Sequence, residues 1–285
     1  MIHQQTIKKP ITASGIEFHT GEQSTVQLLP RPLDSGLTMQ VGDSEASVSP
    51  SNLADGHRST TSIQVGDKVI SSVEHLLSAL FGLGITNLHI EVVSGTEIPI
   101  LDGSAKPWVD LIEVAGIKKQ DKEDIPKKLA RTVEFRHGDS EYSLAPNDNF
   151  EVEVEIDFPK TIIGRQTASY TIRDPEYYHK NIAPARTFIG DGAGGKLLNR
   201  HKVLNRLKSV DIDKPESCPC ILYEQMRYIT PLRFMNEPAT HKLVDFMGDF
   251  SLLGSNLACA VKATRPSHLA NQLLVKKLAS ERLFQ

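Results

Sequence analysis

His241, Asp245 and Asp249 follow one another at intervals of four in Thr240-His241-Lys242-Leu243-Val244-Asp245-Phe246-Met247-Gly248-Asp249. Leu243, Val244, Phe246, Met247 and Phe250 recur there at helical spacing, so the three polar side chains fall in one stripe. An imidazole and a carboxylate at i, i+4 can share one zinc ion. The pattern also fits an ordinary polar stripe on a half-buried helix. A second imidazole, His75, stands beside Glu74 at the start of an apolar stretch that closes at Gly84. Ser71 and Glu74 match a capping box there, which offers Glu74 a purely structural role. A catalytic zinc needs three protein ligands and one open position for water. His75, His241 and Asp245 would supply the ligands, and Glu74 would sit beside the water as general base. His268, in Arg265-Pro266-Ser267-His268, would return to the site as general acid, with Asp249 stabilising its imidazolium form. Together these residues describe a metal-dependent hydrolase.

Two helices, over 72–83 and 241–253, must carry this set. Each closes at a glycine, Gly84 or Gly254, and His75 and Asp245 stand equally far from theirs. This weak internal repeat suggests two similar strand-helix units meeting at the residues of interest. Strand patterns flank the helices. Thr25-Val26-Gln27-Leu28 alternates and its run stops at Pro30; Asn87–Val93 and Glu151–Phe158 alternate throughout. A strand is also expected over 256–263. Pro107 opens a short helix, and Asp102-Gly103 reads as a turn. Ser14–Gly21 reads as a tight turn holding His19, and Arg58-Ser59-Thr60-Thr61 as a hydroxylated loop. The charged run 118–128, with its proline, is the best domain boundary, dividing 1–120 from 127–285. Beyond Gly190, Gly192, Gly194 and Gly195, the basic residues Lys196, Arg200, His201, Lys202, Arg206 and Lys208 read as a solvated helix face.

Bulk properties exclude several classes. With 39% hydrophobic and 24% charged residues a packed core is feasible, and a net charge of −3 argues against nucleic acid as a partner. No apolar run approaches the ~20 residues that span a bilayer, and the N-terminal residues lack a signal-peptide core. Cys218, Cys220 and Cys259 make neither a disulfide framework nor a Cys-x-x-Cys zinc knuckle, which fits a reduced, cytoplasmic compartment.

Further stretches complete an ordered set: Gly15–Gly21, Ser72–Leu77, Glu97–Pro99 with Asp102–Ala105, Ala185–Phe188, Arg233–Glu237, His241–Asp245 with Gly248-Asp249, and His268. In this order, over nearly the whole chain, they resemble the UDP-3-O-acyl-N-acetylglucosamine deacetylases, the zinc amidases of lipid A biosynthesis in Gram-negative-type bacteria. The resemblance implies an α+β fold of two two-layer α/β sandwich domains with a pseudo-repeat, and an active site at their interface. It implies Zn2+ held by His75, His241 and Asp245, with Glu74 as general base. His268 would stabilise the oxyanion or protonate the leaving amine, with Asp249 as its partner, and Thr187 would help hold the tetrahedral intermediate. Lys242 and Phe158 would hold a nucleotide-sugar lipid substrate, with His19 near the site entrance. A monomeric cytoplasmic enzyme is implied. The chain departs from the family over about 189–230, where a small insert normally forms the acyl-chain passage. Here Gly194-Gly195 is followed by the basic stretch and Cys218-Pro219-Cys220. That leaves the acyl length open, along with two other readings: a zinc amidase acting on another N-acyl sugar, or a catalytically silent binding homologue.

Overall fold

The computed structural model describes residues 2–55, 59–171, 174–190, 218–224 and 226–285. Arg58, Gly192, Gly194, Gly195 and the basic residues from Lys196 to Lys208 lie outside them. Two five-stranded paths share one topology. The first uses β2 (Ile11–Ile16), β3 (Gln23–Pro30), β4 (Leu37–Val41), β5 (Ser44–Ser47) and β8 (Leu88–Ser94), in the order β2-β3-β8-β4-β5. The second uses β11 (Val133–His137), β12 (Ser140–Pro146), β13 (Phe150–Phe158), β14 (Gly164–Thr171) and β18 (Leu257–Thr264), in the order β11-β12-β18-β13-β14. In each, the last strand enters the middle, antiparallel to the second strand and parallel to the third. Helix α1 (Glu74–Leu83) precedes β8 and α2 (Lys106–Ala115) follows it. Likewise α4 (Glu237–Phe250) precedes β18 and α5 (His268–Ser280) follows it. The faint repeat in the sequence is therefore a repeat of topology.

Alternation explains the strands. On β13 Val152, Val154 and Ile156 are buried while Glu151, Glu153 and Glu155 are not; on β8 Leu88, Ile90 and Val92 are buried. One apolar cluster runs through both sheets and the helices around them. Smaller elements complete the fold: β1 (His3–Ile7), the hairpin β6 (Ile63–Val65) and β7 (Lys68–Ile70), the single turn α3 (Pro175–Tyr177), and a sheet of β15 (Phe188–Gly190), β16 (Ile221–Glu224) and β17 (Arg227–Tyr228).

The charged run 118–128 carries strands: β9 (Ile117–Glu123) pairs with β1, buries Gln120, and leads to β10 (Lys127–Lys128) on β18. Backbone pairing overrode a composition typical of loops. The helix read over 241–253 instead begins at Glu237 and ends at Phe250, with a tighter turn over Ser251–Leu253. Equal spacing from the closing glycines therefore hides unequal depth, with His75 in the first turn of its helix and Asp245 in the third. The Ser71–Glu74 capping box does not form. Val73 is the N-cap residue, Ser72 sits at φ 59°, and Ser71 Oγ accepts from Ser62 Oγ at 2.9 Å. Glu74 is thereby released for other partners.

Helix α1 is buried along its whole length, and every residue of α4 is buried except Lys242. Helices buried on every side belong in an interior, and these two pack on each other, with the polar stripe of α4 enclosed at the site. Their contact is very close at Gly248, where a Cβ would stand 2.1 Å from the Glu74 carbonyl oxygen. Gly248→Ala must force the helices apart. We expect a loss of about 1–3 kcal/mol in chemical denaturation, with a fall in activity, because the displaced residue is Glu74 itself.

Candidate active site

The contact between α1 and α4 sets His75 beside His241 and Asp245, which are one turn apart on α4. The two imidazole rings are 5.0 Å apart between centroids and nearly perpendicular. Asp245 Oδ1 lies 3.1 Å from His241 Nε2 and 3.6 Å from His75 Nε2. One ligand atom from each residue falls within 4.8 Å of the others, the geometry of a metal cluster. All three are buried, at 8%, 2% and 2% exposure. Asp245 Oδ1 is buried yet accepts no hydrogen bond from the described residues. His241 Nδ1 stands 3.1 Å from the Ala185 carbonyl, so its N–H donates there and its Nε2 lone pair points toward Asp245. Burial lowers the pKa of His241 despite the nearby Asp245, favouring the neutral, ligating imidazole. Burial alone would raise that of Asp245. The Lys242 and His268 charges oppose it, and the carboxyl is held well below the usual range. An orphaned carboxylate oxygen facing imidazole lone pairs is costly unless a cation lies between them. Two imidazoles and one carboxylate are a donor set that suits zinc.

Behind this cluster lies a second layer. The Glu74 carboxylate accepts from Thr60 Oγ1 at 2.9 Å and from the Thr61 backbone N–H at 2.9 Å. Its place in the first turn of α1 adds the favourable end of the helix dipole. Asp249 accepts from Thr61 Oγ1 and, at 2.8 Å, from Asn271 Nδ2. Gln272 Nε2 donates to Thr61 Oγ1 at 3.1 Å. His268 opens α5, where the helix dipole disfavours a cation. Its Nδ1 is 3.0 Å from Asp249 Oδ2, and its Nε2 is 3.4 Å from Asp245 Oδ2 and 3.9 Å from Glu74 Oε1. Burial again opposes the charge, yet Asp249, Asp245 and Glu74 together raise the pKa of His268 well above its ordinary value. These carboxylates favour its imidazolium form.

A cavity of about 400 Å³ opens onto these groups. His75, His241, Asp245, Glu74, His268, Thr187, Lys242, Phe158 and His19 all line it; Asp249 stands behind His268. Lys242 Nζ is 2.7 Å from Asp245 Oδ2 and 5.8 Å from the centre of the Phe188 ring, against which Phe158 packs edge-on. His19 Nδ1 is 3.0 Å from Glu97 Oε1 at the rim. Thr187 is held by the segment it belongs to. There Arg186 forms a buried pair with Glu237, Nε to Oε1 at 2.8 Å and Nη2 to Oε2 at 3.1 Å. Arg186 Nη2 also donates to the Pro231 carbonyl. This clamp ties Ala185, the acceptor for His241, to the N-terminus of α4.

Thr60, Thr61, Asn271 and Gln272 were not anticipated as site residues, nor was Phe188. The one available signal was the hydroxyl cluster Ser59-Thr60-Thr61; nothing marks an Asn-Gln pair on a helix as second-layer support.

A buried cluster of two imidazoles and a carboxylate, with a further carboxylate and imidazole sharing its cavity, is a set of groups that could hold a metal ion and transfer protons, as a hydrolase requires. Comparison with known proteins is more particular. The family model for UDP-3-O-acyl N-acetylglycosamine deacetylase matches residues 4–280, and the chain belongs to that family. It is 38% identical to the UDP-3-O-acyl-N-acetylglucosamine deacetylase of Thioalkalivibrio sulfidiphilus (strain HL-EbGR7), over 99% of this chain and 91% of that protein. The corresponding proteins of Anaeromyxobacter sp. (strain Fw109-5) and Pseudomonas entomophila (strain L48) are 34% and 35% identical. They cover 98% and 99% of this chain, and 89% and 91% of their own lengths.

Removing one half of the buried clamp leaves the other charge unpaired. Arg186→Met is expected to cost about 3–5 kcal/mol in denaturant unfolding, several times the loss from a surface variant such as Arg165→Met.

Proposed function

We propose that this chain is a zinc-dependent amidase that hydrolyses the N-acetyl group of UDP-3-O-acyl-N-acetylglucosamine, releasing acetate in lipid A biosynthesis. The observation that supports it most is the orphaned Asp245 Oδ1 between two imidazole nitrogens, with Glu74 and His268 opening into the same cavity. Zn2+, bound by His75, His241 and Asp245, would supply Lewis acidity, polarising the amide carbonyl and lowering the pKa of water toward about 7. Glu74, fixed by Thr60 and Thr61, takes the proton from the attacking water. The Thr187 hydroxyl faces the developing oxyanion, where one preorganised donor is worth ~3 kcal/mol. His268, charged before the substrate arrives, gives its proton to the departing amine, and Asp249 keeps the ring aimed. Lys242 meets a substrate phosphate as a point charge. Phe158 and Phe188 offer an aromatic wall for the nucleotide sugar, and His19 guards the entrance.

We read the chain as a cytoplasmic monomer with two domains, 1–120 and 127–285. Supporting this, the two sheets repeat one topology, and no helix among the described residues is long and apolar enough to cross a membrane.

Elemental analysis paired with deacetylation kinetics tests the reading. Wild type should hold about one zinc per chain and turn over the nucleotide sugar. Glu74→Ala should keep the metal but lose turnover by ~10²-fold or more. Turnover surviving in that variant would remove the base from the mechanism. Asp245→Ala should lose the metal itself, since the variant leaves two imidazoles where three ligands are needed. Turnover confined to another N-acyl sugar would reassign the substrate, and metal without any turnover would make the chain a binding protein.

A further inference from the structure

Cys218, Pro219 and Cys220 take no part in the chemistry above. The two sulfurs lie 3.5 Å apart, at 4% and 0% exposure, in a small apolar cluster with Leu222, Phe18, Ile189 and Ile229. Phe18 and Ile189 also line the catalytic cavity, so the thiols sit just behind its wall. Cys259 is elsewhere, on β18, where burial pushes its thiol up to about 12. Cys218 and Cys220 differ from it in having each other. One shared hydrogen eases ionisation of Cys218 and hinders that of Cys220, and the nearby Arg186 charge favours both thiolates. A thiolate beside a second sulfur is the starting point for a disulfide.

We propose that Cys218 and Cys220 are a reversible redox pair, closing to an intrachain disulfide under a peroxide and thereby displacing Thr187. The Cys218 thiolate attacks a peroxide oxygen; the O–O bond breaks, hydroxide leaves and takes up a proton as water, and a sulfenic acid forms. The Cys220 sulfur then attacks the Cys218 sulfur. The S–O bond breaks and the hydroxyl departs with the Cys220 proton as a second water. Two thiols are oxidised and one peroxide is reduced. Closure brings the sulfurs to ~2.05 Å, so Pro219, between them, must shift. It has no room to do so alone. A Cβ on Gly103 would stand 1.4 Å from the Pro219 carbonyl oxygen, so that backbone already lies against Gly103. Gly103 O accepts from Thr187 N at 2.8 Å, and Ile221 N donates to Thr187 O at 2.7 Å. Thr187 is thus braced on one side by Gly103, against which Pro219 lies, and on the other by Ile221, the residue after Cys220.

The effect on turnover rests on the deacetylase reading; the disulfide itself does not. The full-length, metal-loaded protein is exposed to hydrogen peroxide, its remaining thiols are alkylated, and it is digested for mass spectrometry. The peptide holding Cys218 and Cys220 should lose about 2 Da, the two thiol hydrogens, and recover them with dithiothreitol. Turnover should fall about tenfold or more, the scale of a misplaced catalytic group, and return on reduction. Cys218→Ser and Cys220→Ser should keep their turnover through the same exposure. Oxygen addition to single cysteines, a disulfide between two chains, or a thiophilic metal protecting both thiols would overturn the pair. Disulfide closure with undiminished turnover would overturn the link to Thr187. Failure of the reduced protein to deacetylate, with the 2 Da loss still appearing after peroxide, would sink the deacetylase reading and leave the pair standing.

Discussion

The backbone of α4 touches the backbone of α1 at Gly248, and the rest of the site hangs from that contact. Both helices are buried along nearly their whole length, so neither can retreat toward solvent to relieve a clash. A side chain at residue 248 would meet the Glu74 carbonyl oxygen. Its absence lets the first turn of α1 lie against the middle of α4. His75 then faces His241 and Asp245, and Glu74 faces the same cavity. The repeated topology supplies two helices of equivalent rank. A single small residue decides how near they come.

Charge governs what that proximity can do. Three buried carboxyl groups, Glu74, Asp245 and Asp249, converge with Lys242 and His268 as the cationic side chains beside them among the described residues. Interactions between charges are strong where water is scarce. The surplus of carboxyl groups explains why His268 holds its proton although burial and the α5 dipole both oppose it. It also explains why an unpaired oxygen on Asp245 is tolerable as a cation's ligand and as little else. Asn271, Gln272, Thr60 and Thr61 are neutral donors. They fix the carboxylates in place without cancelling the charge that gives the site its character.

The segment 184–189 connects the metal cluster to its surroundings. Ala185 orients His241, Arg186 is clamped by Glu237, Thr187 faces the cavity, and Phe188 walls it. The Cys218-Pro219-Cys220 tripeptide leans on this same segment through Gly103 and Ile221. Anything that shifts the tripeptide is therefore felt at Thr187 on the cavity wall.

From the sequence alone, the alternating strands, the two glycine-closed helices and the candidate ligands were legible, because side-chain periodicity and the i, i+4 pairing of His241 with Asp245 are local. The family resemblance brought in Thr187, Lys242 and Phe158 through motif order, with no local pattern to announce them. Tertiary structure decided the rest. It moved the start of α4 from 241 to 237, and it turned the charged run near 120 into a paired strand. It also withdrew Glu74 from a cap that its spacing fits, since Thr60 and Thr61, in the loop before β6, claim its oxygens. Which residues brace a buried charge depends on contacts between segments far apart in the chain, and such contacts leave no period in the sequence to be read.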